Sequence, residues 1–300
     1  MKIVVTGGCG FIGSHFINFI NSKKLDIEIL VVDKMTYASD ISNILSTNCE
    51  ILKKDICDLT SQDLGDYEYI INFAAESHVD NSIKNGKPFV KTNVEGTFNL
   101  LELARQNKNL KKFVQISTDE VYGDMLDYGK NVEASTEFDL YGSSYYSATK
   151  ASADLLVQAA GKTYNLPFLI TRTCNNYGEN QHQEKLIPTI TNCIKNKKPI
   201  PIYGDGLNIR EWIYAEDNCI NILNLTLGEY EGVYHIGSGE RYTNLEIIAI
   251  IENILGDRVD FEFIEDRKGH DRVYALNSSE TPKLILNNTL ENYLRKELLF

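Results

Sequence analysis

Two adjacent carboxyl side chains, Asp119 and Glu120, follow a short apolar run in the segment ISTDEVYGD. If both are sheltered from water at the end of a strand, each raises the pKa of the other, because like charges repel at short range. Such a pair can divide into a proton donor and a proton acceptor. Ser117 and Thr118 bring hydroxyl groups to the same place. The segment is therefore a candidate for acid–base chemistry.

A second candidate is the pair Tyr146 and Lys150 in SSYYSATKA, four residues apart on a predicted helix and therefore on one face. An ammonium group beside a phenol favours the phenolate and can make tyrosine a base near neutral pH. Tyr145 is an alternative phenol, but only Tyr146 has this spacing to Lys150. Taken alone the pattern is common, and a pair on the surface of a helix is its commoner explanation.

The segment TGGCGFIGS places Gly7, Gly10 and Gly13 between a predicted strand and a predicted helix. Glycines there permit a tight turn and a close approach to a pyrophosphate, while the helix N-terminus supplies amide donors. Asp33 ends the next predicted strand, 20 residues after Gly13. A carboxylate there accepts hydrogen bonds from an adenosine ribose and disfavours a 2′-phosphate, which predicts NAD and not NADP. A glycine-rich turn that binds nothing is the alternative.

Two further segments follow predicted strands, at the edge where open parallel sheets bind ligands. Asp55, in KKDICDL, is placed to approach an adenine edge, and a solvated loop acid is the simpler alternative. The run NFAAESHVDNS (72–82) brings small side chains to the place where a cofactor would lie.

The first half of the chain predicts the scaffold that brings these candidates together. Short β-branched runs alternate with longer amphipathic stretches, as in a parallel sheet with helices on both faces. The predicted strands cover 2–6, 28–33, 49–55, 67–75, 111–118 and 166–173, and the predicted helices include 90–107 and 143–164. The spacing of Val94, Phe98, Leu101 and Ala104 predicts the inward face of the first of these helices. The predicted fold class is α/β, a Rossmann-type doubly wound parallel sheet.

After Arg172 the pattern loosens, and Pro and Gly punctuation predicts a smaller, interleaved second lobe. Residues 213–227 have the pattern of a helix that returns to the core. We therefore predict an NAD-binding Rossmann domain over 1–175, to which 210–236 returns, and a C-terminal substrate lobe over 176–300.

The composition argues against several classes of protein. The 300 residues are 43% hydrophobic and 24% charged, which is typical of a folded globular chain. The 42 acidic and 30 basic side chains give a net charge of −12, which disfavours a nucleic-acid surface. No apolar run approaches the about 18 residues of a spanning helix, and no cleavage site follows the first strand. The six cysteines form no CxxC pair, so we expect a cytoplasmic protein with reduced thiols, no metal site, and no membrane or nucleic-acid partner.

Several motifs, taken in order, carry a resemblance to a known family. They are TGGCGFIGS, AAESHVD, STDEVYGD, YSATKA, RTCNNYG, EKLIP, PIYGDGLNIREW and DRKGHD. Over roughly residues 1–274 they resemble the nucleotide-glucose 4,6-dehydratases, most familiar as the dTDP-glucose 4,6-dehydratase family, in the extended short-chain dehydrogenase/reductase superfamily. The glycine turn and the Tyr/Lys pair are shared with epimerases and decarboxylases of that superfamily. The Asp–Glu pair is what points to the dehydratases.

The resemblance implies loss of water from an NDP-glucose without net redox change, with NAD bound throughout. Tyr146 would take the proton of the 4-hydroxyl as carbon 4 passes its hydride to NAD, and Lys150 would hold the phenolate and the cofactor ribose. Glu120 would then remove the proton on carbon 5, and Asp119 would protonate the hydroxyl that leaves carbon 6. The hydride then returns to carbon 6 and carbon 5 is reprotonated. Thr118 would hydrogen-bond the 4-oxygen and steer it toward Tyr146.

The resemblance also implies two sets of binding residues. Those expected to bind NAD are Gly7, Gly10, Phe11, Ile12, Gly13, Asp33, Lys34, Met35, Thr36, Asp55, Ile56, Phe73, Ala74, Ala75, Ser77, Thr92, Tyr146, Lys150 and Asn176. Those expected to bind the nucleotide sugar are His78, Thr118, Asn175, Lys185, Leu186, Pro201, Ile202, Tyr203, Arg210, His235, Asp266, Arg267, Lys268, Gly269 and His270. Arg210, Arg267 and Lys185 would supply the positive charge that a diphosphate needs. A surface ion pair with Glu211 or Glu216 is the alternative for Arg210.

The chain departs from the family pattern at several points. Tyr145, Glu179 and Lys268 stand where the family often has Pro. His235 stands where many members carry an Asn that touches the nucleotide.

The carboxyl end also departs from the pattern. Only 26 residues follow Tyr274 and the sole Trp is Trp212, so the family's terminal Gly-Trp segment is missing. The tail over 281–300 has the pattern of a replacement helix.

The sequence leaves alternatives open. UDP-glucose is the nearest rival of dTDP-glucose, since one methyl group discriminates by only about 1–3 kcal/mol. A 4-epimerase or a UDP-glucuronate decarboxylase ranks lower, because neither needs both Asp119 and Glu120. A non-catalytic NAD-sensing or scaffold protein ranks last. The resemblance also implies a homodimer formed through a four-helix arrangement.

Overall fold

The protein is described by a computed structural model over residues 1–45 and 48–299. Its strands are β1 (Lys2–Thr6), β2 (Glu28–Asp33), β3 (Cys49–Lys53), β4 (Tyr69–Asn72), β5 (Lys112–Thr118), β6 (Phe168–Thr173), β7 (Asn175–Tyr177), β8 (Ile200–Tyr203), β9 (Ile209–Tyr214), β10 (Gly232–Ile236), β11 (Arg241–Thr243) and β12 (Phe261–Ile264). Its α-helices are α1 (Phe11–Ser22), α2 (Ser61–Leu64), α3 (Val79–Lys84), α4 (Lys87–Phe89), α5 (Thr97–Gln106), α6 (Tyr145–Tyr164), α7 (Leu186–Lys195), α8 (Ala215–Leu227), α9 (Asn244–Leu255) and α10 (Leu290–Leu299).

A seven-stranded parallel sheet in the order β10-β6-β5-β4-β1-β2-β3 forms the centre of the molecule. Alternate residues of each strand enter opposite cores, so Ile3 and Val5 pack on the side of α1 and α8, and Val4 packs on the side of α5 and α6. The run of buried β-branched residues reflects this burial on two faces. The predicted doubly wound parallel sheet is confirmed.

The predicted strands are all present. The first two have the predicted bounds, and the others are shorter than predicted. Strand order reverses between β1 and β4, because β2 and β3 extend the sheet on one side while β5 and β6 extend it on the other. In open α/β sheets the ligand crevice lies at such a point, outside the carboxyl ends of the strands.

The helix predicted over 90–107 differs in detail from the prediction. A π-helical turn over Val90–Gly96 precedes α5. Phe98, predicted to face inward, is 53% exposed, whereas Leu100 is fully buried. The prediction for Phe98 was wrong because polar side chains, Asn93 and Thr97, occupy the inward face of this segment.

The remaining elements form smaller layers beside the main sheet. One sheet has the order β11-β9-β7 and a second pairs β12 with β8. Helices α7, α9 and α10 cover them, around a core that contains Tyr177, Trp212 and Leu294. The predicted return to the main sheet is made by α8, which packs on α1, and by β10, which pairs with β6. Strand β9 pairs elsewhere, and the division into two domains stays a prediction.

Only the second part of the predicted carboxyl-terminal helix is present: α10 covers Leu290–Leu299, and residues 281–289 are not helical. Phe300, the last residue of that prediction, lies outside the described residues. Leu290 and Leu294 are fully buried and anchor α10 in the smaller core. None of the helices in the described part of the chain is both long enough and apolar enough to cross a bilayer.

Candidate active site

A cleft of about 630 Å³ opens along the carboxyl ends of β1, β2, β4, β5 and β6. Gly7, Asp33, Phe73, Thr118 and Thr173 line it at or just after the ends of these strands. Its volume lies in the range of small-molecule sites. All the residues expected to bind NAD line this cleft except Met35, whose backbone N–H instead donates to Asp33 Oδ1 at 2.8 Å.

The glycine turn keeps the amino-terminal end of α1 open to the cleft. Gly7 has φ +67°, and a Cβ atom there would lie 2.6 Å from the backbone nitrogen of Ala74. A side chain would therefore push the turn away from the loop that follows β4. Gly10 N–H donates to the Gly7 carbonyl at 3.2 Å, which sets the turn from which α1 begins. The free amide end of α1 and the close backbone approach fit a pyrophosphate.

Asp33 is buried at the end of β2 and is held by two backbone amides. Its Oδ2 accepts from the N–H of Cys9 at 3.0 Å and its Oδ1 from the N–H of Met35 at 2.8 Å. Each carboxylate oxygen can accept a further bond, because it has two lone pairs. The carboxylate is therefore fixed at the cleft with capacity left for ribose hydroxyls.

Asp55 is part of the cleft wall and not a solvated loop acid. Its Oδ2 lies 2.7 Å from Lys34 Nζ and 3.7 Å from Lys91 Nζ, and its side chain is only 9% exposed. Burial raises the pKa of Asp55, but hydrogen bonds from Lys34 and Cys57 outweigh it and lower the pKa overall. The prediction that Asp55 approaches an adenine stays a prediction.

The two adjacent acids have different surroundings. Asp119 is 3% exposed, its Oδ1 accepts from the Thr118 hydroxyl at 3.0 Å, and its Oδ2 has no hydrogen-bond partner among the described residues. Burial and the charge of Glu120 raise the pKa of Asp119 to about 8. Glu120 lines the cleft, and burial raises its pKa, which Arg267 and Lys185 partly offset. One half of the predicted mutual effect is present: the charge of Glu120 raises the pKa of Asp119, whereas burial is the main cause of the raised pKa of Glu120.

Tyr146 and Lys150 lie on one buried face of α6 and both line the cleft. Lys150 Nζ donates to the Ile116 carbonyl at 2.5 Å, and burial lowers its pKa to about 8. Burial and the charge of Glu120 raise the pKa of Tyr146, while a hydrogen bond with Thr118 lowers it. The expectation that the protein's own groups favour the phenolate was therefore wrong, because burial and a nearby carboxylate dominate.

A buried polar chain that the sequence did not reveal lies behind this pair. Asp154, one turn after Lys150 on α6, accepts from Arg172 Nε at 2.9 Å. Arg172 also donates to the hydroxyl of Tyr122 at 2.5 Å, and that hydroxyl lies 2.6 Å from His235 Nε2.

His235 is not available to a ligand. It is fully buried, and its Nδ1 lies 2.8 Å from the Asn277 carbonyl oxygen, so both ring nitrogens have partners. Burial lowers the pKa of His235 to about 4. The expected nucleotide contact of His235 is therefore not supported, because the ring is turned into the protein.

The residues expected to bind the nucleotide sugar fall into two groups. Thr118, Asn175, Lys185 and Leu186 line the cleft. A second group makes polar contacts with other side chains. These contacts join Tyr203 to Asp80 at 3.2 Å, Arg267 to Asp80 at 3.8 Å, His78 to Glu184 at 3.5 Å and His270 to Asp266 at 2.6 Å. Lys268 and Gly269 are exposed in the same loop, and Pro201 is half-buried.

Besides His235, two further members of this set differ from expectation. Ile202 is fully buried in the smaller core, so its side chain cannot touch a ligand. Arg210 is 5% exposed, its guanidinium lies 4.2 Å from the Tyr274 ring, and it donates to the Asp271 carbonyl at 2.8 Å. The surface ion pair considered for Arg210 is thus wrong, since Glu211 pairs with Arg241 instead.

The cleft also has lining residues that sequence reasoning missed. They include Tyr37, Glu76, Cys174, Gln181, His182, Glu184 and Trp212. Most of them lie inside or directly beside the motifs already quoted, so neighbouring positions were the available signal. Within the described ranges, no group of three or more His, Cys, Asp or Glu side chains is arranged to hold a metal ion.

Comparisons with known proteins agree with this geometry. A family model described as GDP-mannose 4,6 dehydratase matches residues 4–284. The low-salt glycan biosynthesis protein Agl12 of Haloferax volcanii is 46% identical, over 95% of this chain and 92% of that protein. A dTDP-glucose 4,6-dehydratase of Actinoplanes sp. is 39% identical, over 93% of this chain and 90% of that protein.

A solved structure is similar along the whole chain. The dTDP-glucose 4,6-dehydratase of Streptomyces venezuelae, crystallised with NAD, has a TM-score of 0.93 and 36% identity, and the match covers 100% of this chain and 96% of that one. The resemblance stated from the motifs is confirmed by these matches. The chain belongs to the family that the model describes as GDP-mannose 4,6 dehydratase, within which its relatives include dTDP-glucose 4,6-dehydratases.

Proposed function

We propose that the protein is an NAD-dependent nucleotide-glucose 4,6-dehydratase that converts dTDP-glucose to the 4-keto-6-deoxy sugar nucleotide. The observation that carries this proposal is the pair Asp119 and Glu120 at the end of β5, beside Tyr146 and Lys150 on α6. The names of the relatives at 39% and 36% identity support the same reaction.

The chain's own residues fit NAD. The turn from Gly7 to Gly13 would hold the pyrophosphate, Asp33 the adenosine ribose, and Lys150 the second ribose. When bound, NAD accepts the hydride of carbon 4 and returns it to carbon 6 after water has left.

Tyr146 would take the proton of the sugar's 4-hydroxyl, with Thr118 holding the 4-oxygen. Burial and Glu120 raise the pKa of this phenol, so it needs positive charge nearby to act as a base. In the proposed reaction Lys150, one turn along α6 on the same buried face, would supply that charge.

The surroundings of the two acids differ and support different roles. Asp119, with a pKa raised to about 8 by burial and by Glu120, holds a proton at neutral pH and can donate it to the hydroxyl leaving carbon 6. Burial also raises the pKa of Glu120, but the charges of Arg267, Lys185 and Arg210 partly offset that rise. Glu120 lines the cleft, and in the proposed reaction it takes the proton from carbon 5.

The alternatives are weaker on the same observations. A 4-epimerase or a UDP-glucuronate decarboxylase has no need for an acid and a base side by side after β5. UDP-glucose stays the nearest rival substrate, and the expected cytoplasmic location stays a prediction.

The test of the proposal is to incubate the purified protein with dTDP-glucose or UDP-glucose, without added NADH. We expect a 4-keto-6-deoxy product with net loss of water, formed faster from dTDP-glucose. Recovery of only the galactose epimer, or of no product from either sugar nucleotide, would reject the assignment.

Glu120→Gln tests the base directly. We expect kcat to fall by about 10²–10⁴-fold, because the amide cannot accept the carbon 5 proton. Exchange of that proton with deuterated water should stop, whereas some cofactor reduction should remain visible by absorbance. Glu137→Gln, which alters an exposed glutamate, is the matched control. Turnover equal to that of the control would show that Glu120 is not the base.

A further inference from the structure

Residues 179–186, here called the cover segment, connect β7 to α7 along the cleft. Its residues from Asn180 to Leu186 line the cleft. The His182 ring meets the Tyr37 ring edge-on, with 5.4 Å between centroids. Lys185 Nζ donates to the Ser77 carbonyl at 3.1 Å. The cover segment therefore touches the loops after β2 and β4, on the opposite wall of the cofactor cleft.

Glu179 fixes the first end of the cover segment to three separate elements. Its Oε2 accepts from the Tyr214 hydroxyl at 2.6 Å, at the end of β9. Its Oε1 accepts from Lys296 Nζ at 2.8 Å, on α10. Its carbonyl oxygen lies 2.8 Å from Nε2 of His15, on the helix that begins at the glycine turn.

Helix α10 supports Glu179 by packing as well as by charge. The Tyr293 ring lies 5.2 Å from the Tyr177 ring and 5.9 Å from the Tyr214 ring, so α10 also holds the phenol that donates to Glu179. Burial raises the pKa of Glu179, but bonds from Lys296 and Tyr214 outweigh it and lower the pKa overall. The carboxylate therefore stays ionised at neutral pH, with both oxygens engaged.

Two departures from the resembled family pattern meet in this arrangement. Glu179 stands where the resembled family often has Pro, which has no side-chain acceptor, and α10 occupies the tail in which the chain departs from that family. The two departures meet at the Glu179–Lys296 ion pair.

We propose that Glu179 is a positioning residue, through which α10 holds the cover segment against the cleft and slows the release of bound NAD. The inference rests on the proposed function for the identity of the cofactor. A dehydratase of this kind returns the same hydride that it removes, so loss of the cofactor between the two transfers would end the cycle.

The experiment measures the rate at which NAD leaves the purified holoprotein after mixing with an excess of a competing nucleotide. No sugar is present. We expect release to be about tenfold faster in Glu179→Ala, which loses a charge-assisted bond to Tyr214 and the pair with Lys296. Release of NAD from Lys296→Ala should be about two- to fivefold faster, because this variant loses one exposed ion pair.

Two variants make the result specific. Arg295→Ala removes an ion pair within α10 itself, to Glu291 at 2.9 Å, and should leave release unchanged. In the double variant Glu179→Ala/Lys296→Ala, release should be no faster than in Glu179→Ala alone, because Lys296 acts through Glu179. If Glu179→Ala does not fold, Glu179→Gln keeps the acceptor for Tyr214 and still loses the ion pair.

Unchanged release in a folded Glu179 variant, or fully additive effects in the double variant, would overturn the inference. Turnover of dTDP-glucose is measured separately on the wild-type protein. This measurement distinguishes a failure of the inference from a failure of the proposed function. A wild-type protein that does not retain NAD at all would overturn both.

Discussion

At the scale of single residues, Asp119 and Glu120 are neighbours with opposite surroundings. Asp119 is turned into the protein wall, where its contact is the Thr118 hydroxyl. Glu120 reaches the cleft, where the charges of Arg267 and Lys185 partly offset the rise that burial causes in its pKa. Two adjacent carboxyl groups, both with raised pKa values but with different neighbours, therefore arise from a single turn of chain after β5.

Asp119→Asn tests how the protonated state of Asp119 affects the stability of the folded protein. The folded-state pKa of Asp119 is raised from 3.8 to about 8 by burial and by Glu120, so the folded protein keeps a proton that the unfolded chain releases. Such a group loses its stabilising contribution as the pH rises through this interval. Asn cannot ionise. Between about pH 5 and pH 8 the free energy of unfolding should therefore fall further in the wild type than in the variant, and the difference should exceed about 1 kcal/mol.

Urea unfolding at the two pH values measures this difference. Turnover of Asp119→Asn should fall by about 10²–10⁴-fold, as expected for loss of a general acid. Glu137→Gln, an exposed acid, is the control for removing one negative charge. A parallel loss of stability in wild type and Asp119→Asn would contradict the protonated state assigned to Asp119.

The sequence predicted where the residues of the candidate site lie in the fold better than it predicted where their side chains point. Tyr146, Lys150 and Glu120 line the cleft because each lies at a strand end or on a helix face that the spacing already defines. Ile202 lies in the motif PIYGDGLNIREW, and His235 was also expected to bind the nucleotide, yet both side chains are fully buried. Their direction depends on partners far along the chain, and spacing carries no information about these.

At the scale of elements, the segment around the π-helical turn shows why the predicted inward face failed at Phe98. Asn93 Oδ1 accepts from the Glu76 N–H at 2.9 Å and its Nδ2 donates to Thr149 at 3.0 Å. Thr97 Oγ1 accepts from Asn72 at 3.3 Å. These bonds satisfy polar groups inside the protein, so polar residues take places that hydrophobic periodicity assigns to apolar ones. The first strands were easier to predict because continuous runs of buried apolar residues, such as Ile3 to Val5 and Ile29 to Val32, mark them.

Lys112 links β5 to the end of α8 and provides a test at this scale. Its Nζ donates to the carbonyls of Leu225 at 3.2 Å, Thr226 at 3.0 Å and Gly228 at 2.8 Å, and the residue is 5% exposed. Replacing it with Met keeps the aliphatic stem but leaves these carbonyls without their donor. We expect Lys112→Met to lower the free energy of unfolding by about 2–3 kcal/mol.

Chemical denaturation measures this loss, and the adjacent lysine supplies the control. Lys111 is exposed and pairs with Glu68 at the surface, so Lys111→Met should change stability little. Equal effects of the two substitutions would show that the buried ammonium does not stabilise the end of α8.

At the scale of the whole molecule, apolar side chains remain exposed on the helices that cover one side of the main sheet. Phe98 is 53% exposed, Leu155 is 56% exposed and Val90 is 45% exposed, on α5, α6 and the π-helical turn between α4 and α5. The homodimer that the resemblance implies stays a prediction, and a four-helix contact built from two copies of α5 and α6 would cover these side chains.

Phe98→Asp places a charge in that contact. The wild-type protein should be a dimer in light scattering, and Phe98→Asp should be a monomer, since an unpaired buried charge is costly. Phe263→Asp is the matched control, because Phe263 is 56% exposed on β12 in the smaller part of the molecule. A monomeric wild-type protein, or a Phe98→Asp variant that stays dimeric, would contradict this assembly.

Strand β10 completes the main sheet from a point late in the chain, and this has a consequence for synthesis. Its partner β6 ends at Thr173, and strands β7, β8 and β9 of the smaller sheets are made before β10 emerges. Until then Leu169 and Ile170 belong to an open sheet edge, of the kind that pairs with other chains. The ribosome therefore releases a chain whose two parts finish folding together, and a nascent chain stalled between β6 and β10 is its most aggregation-prone form.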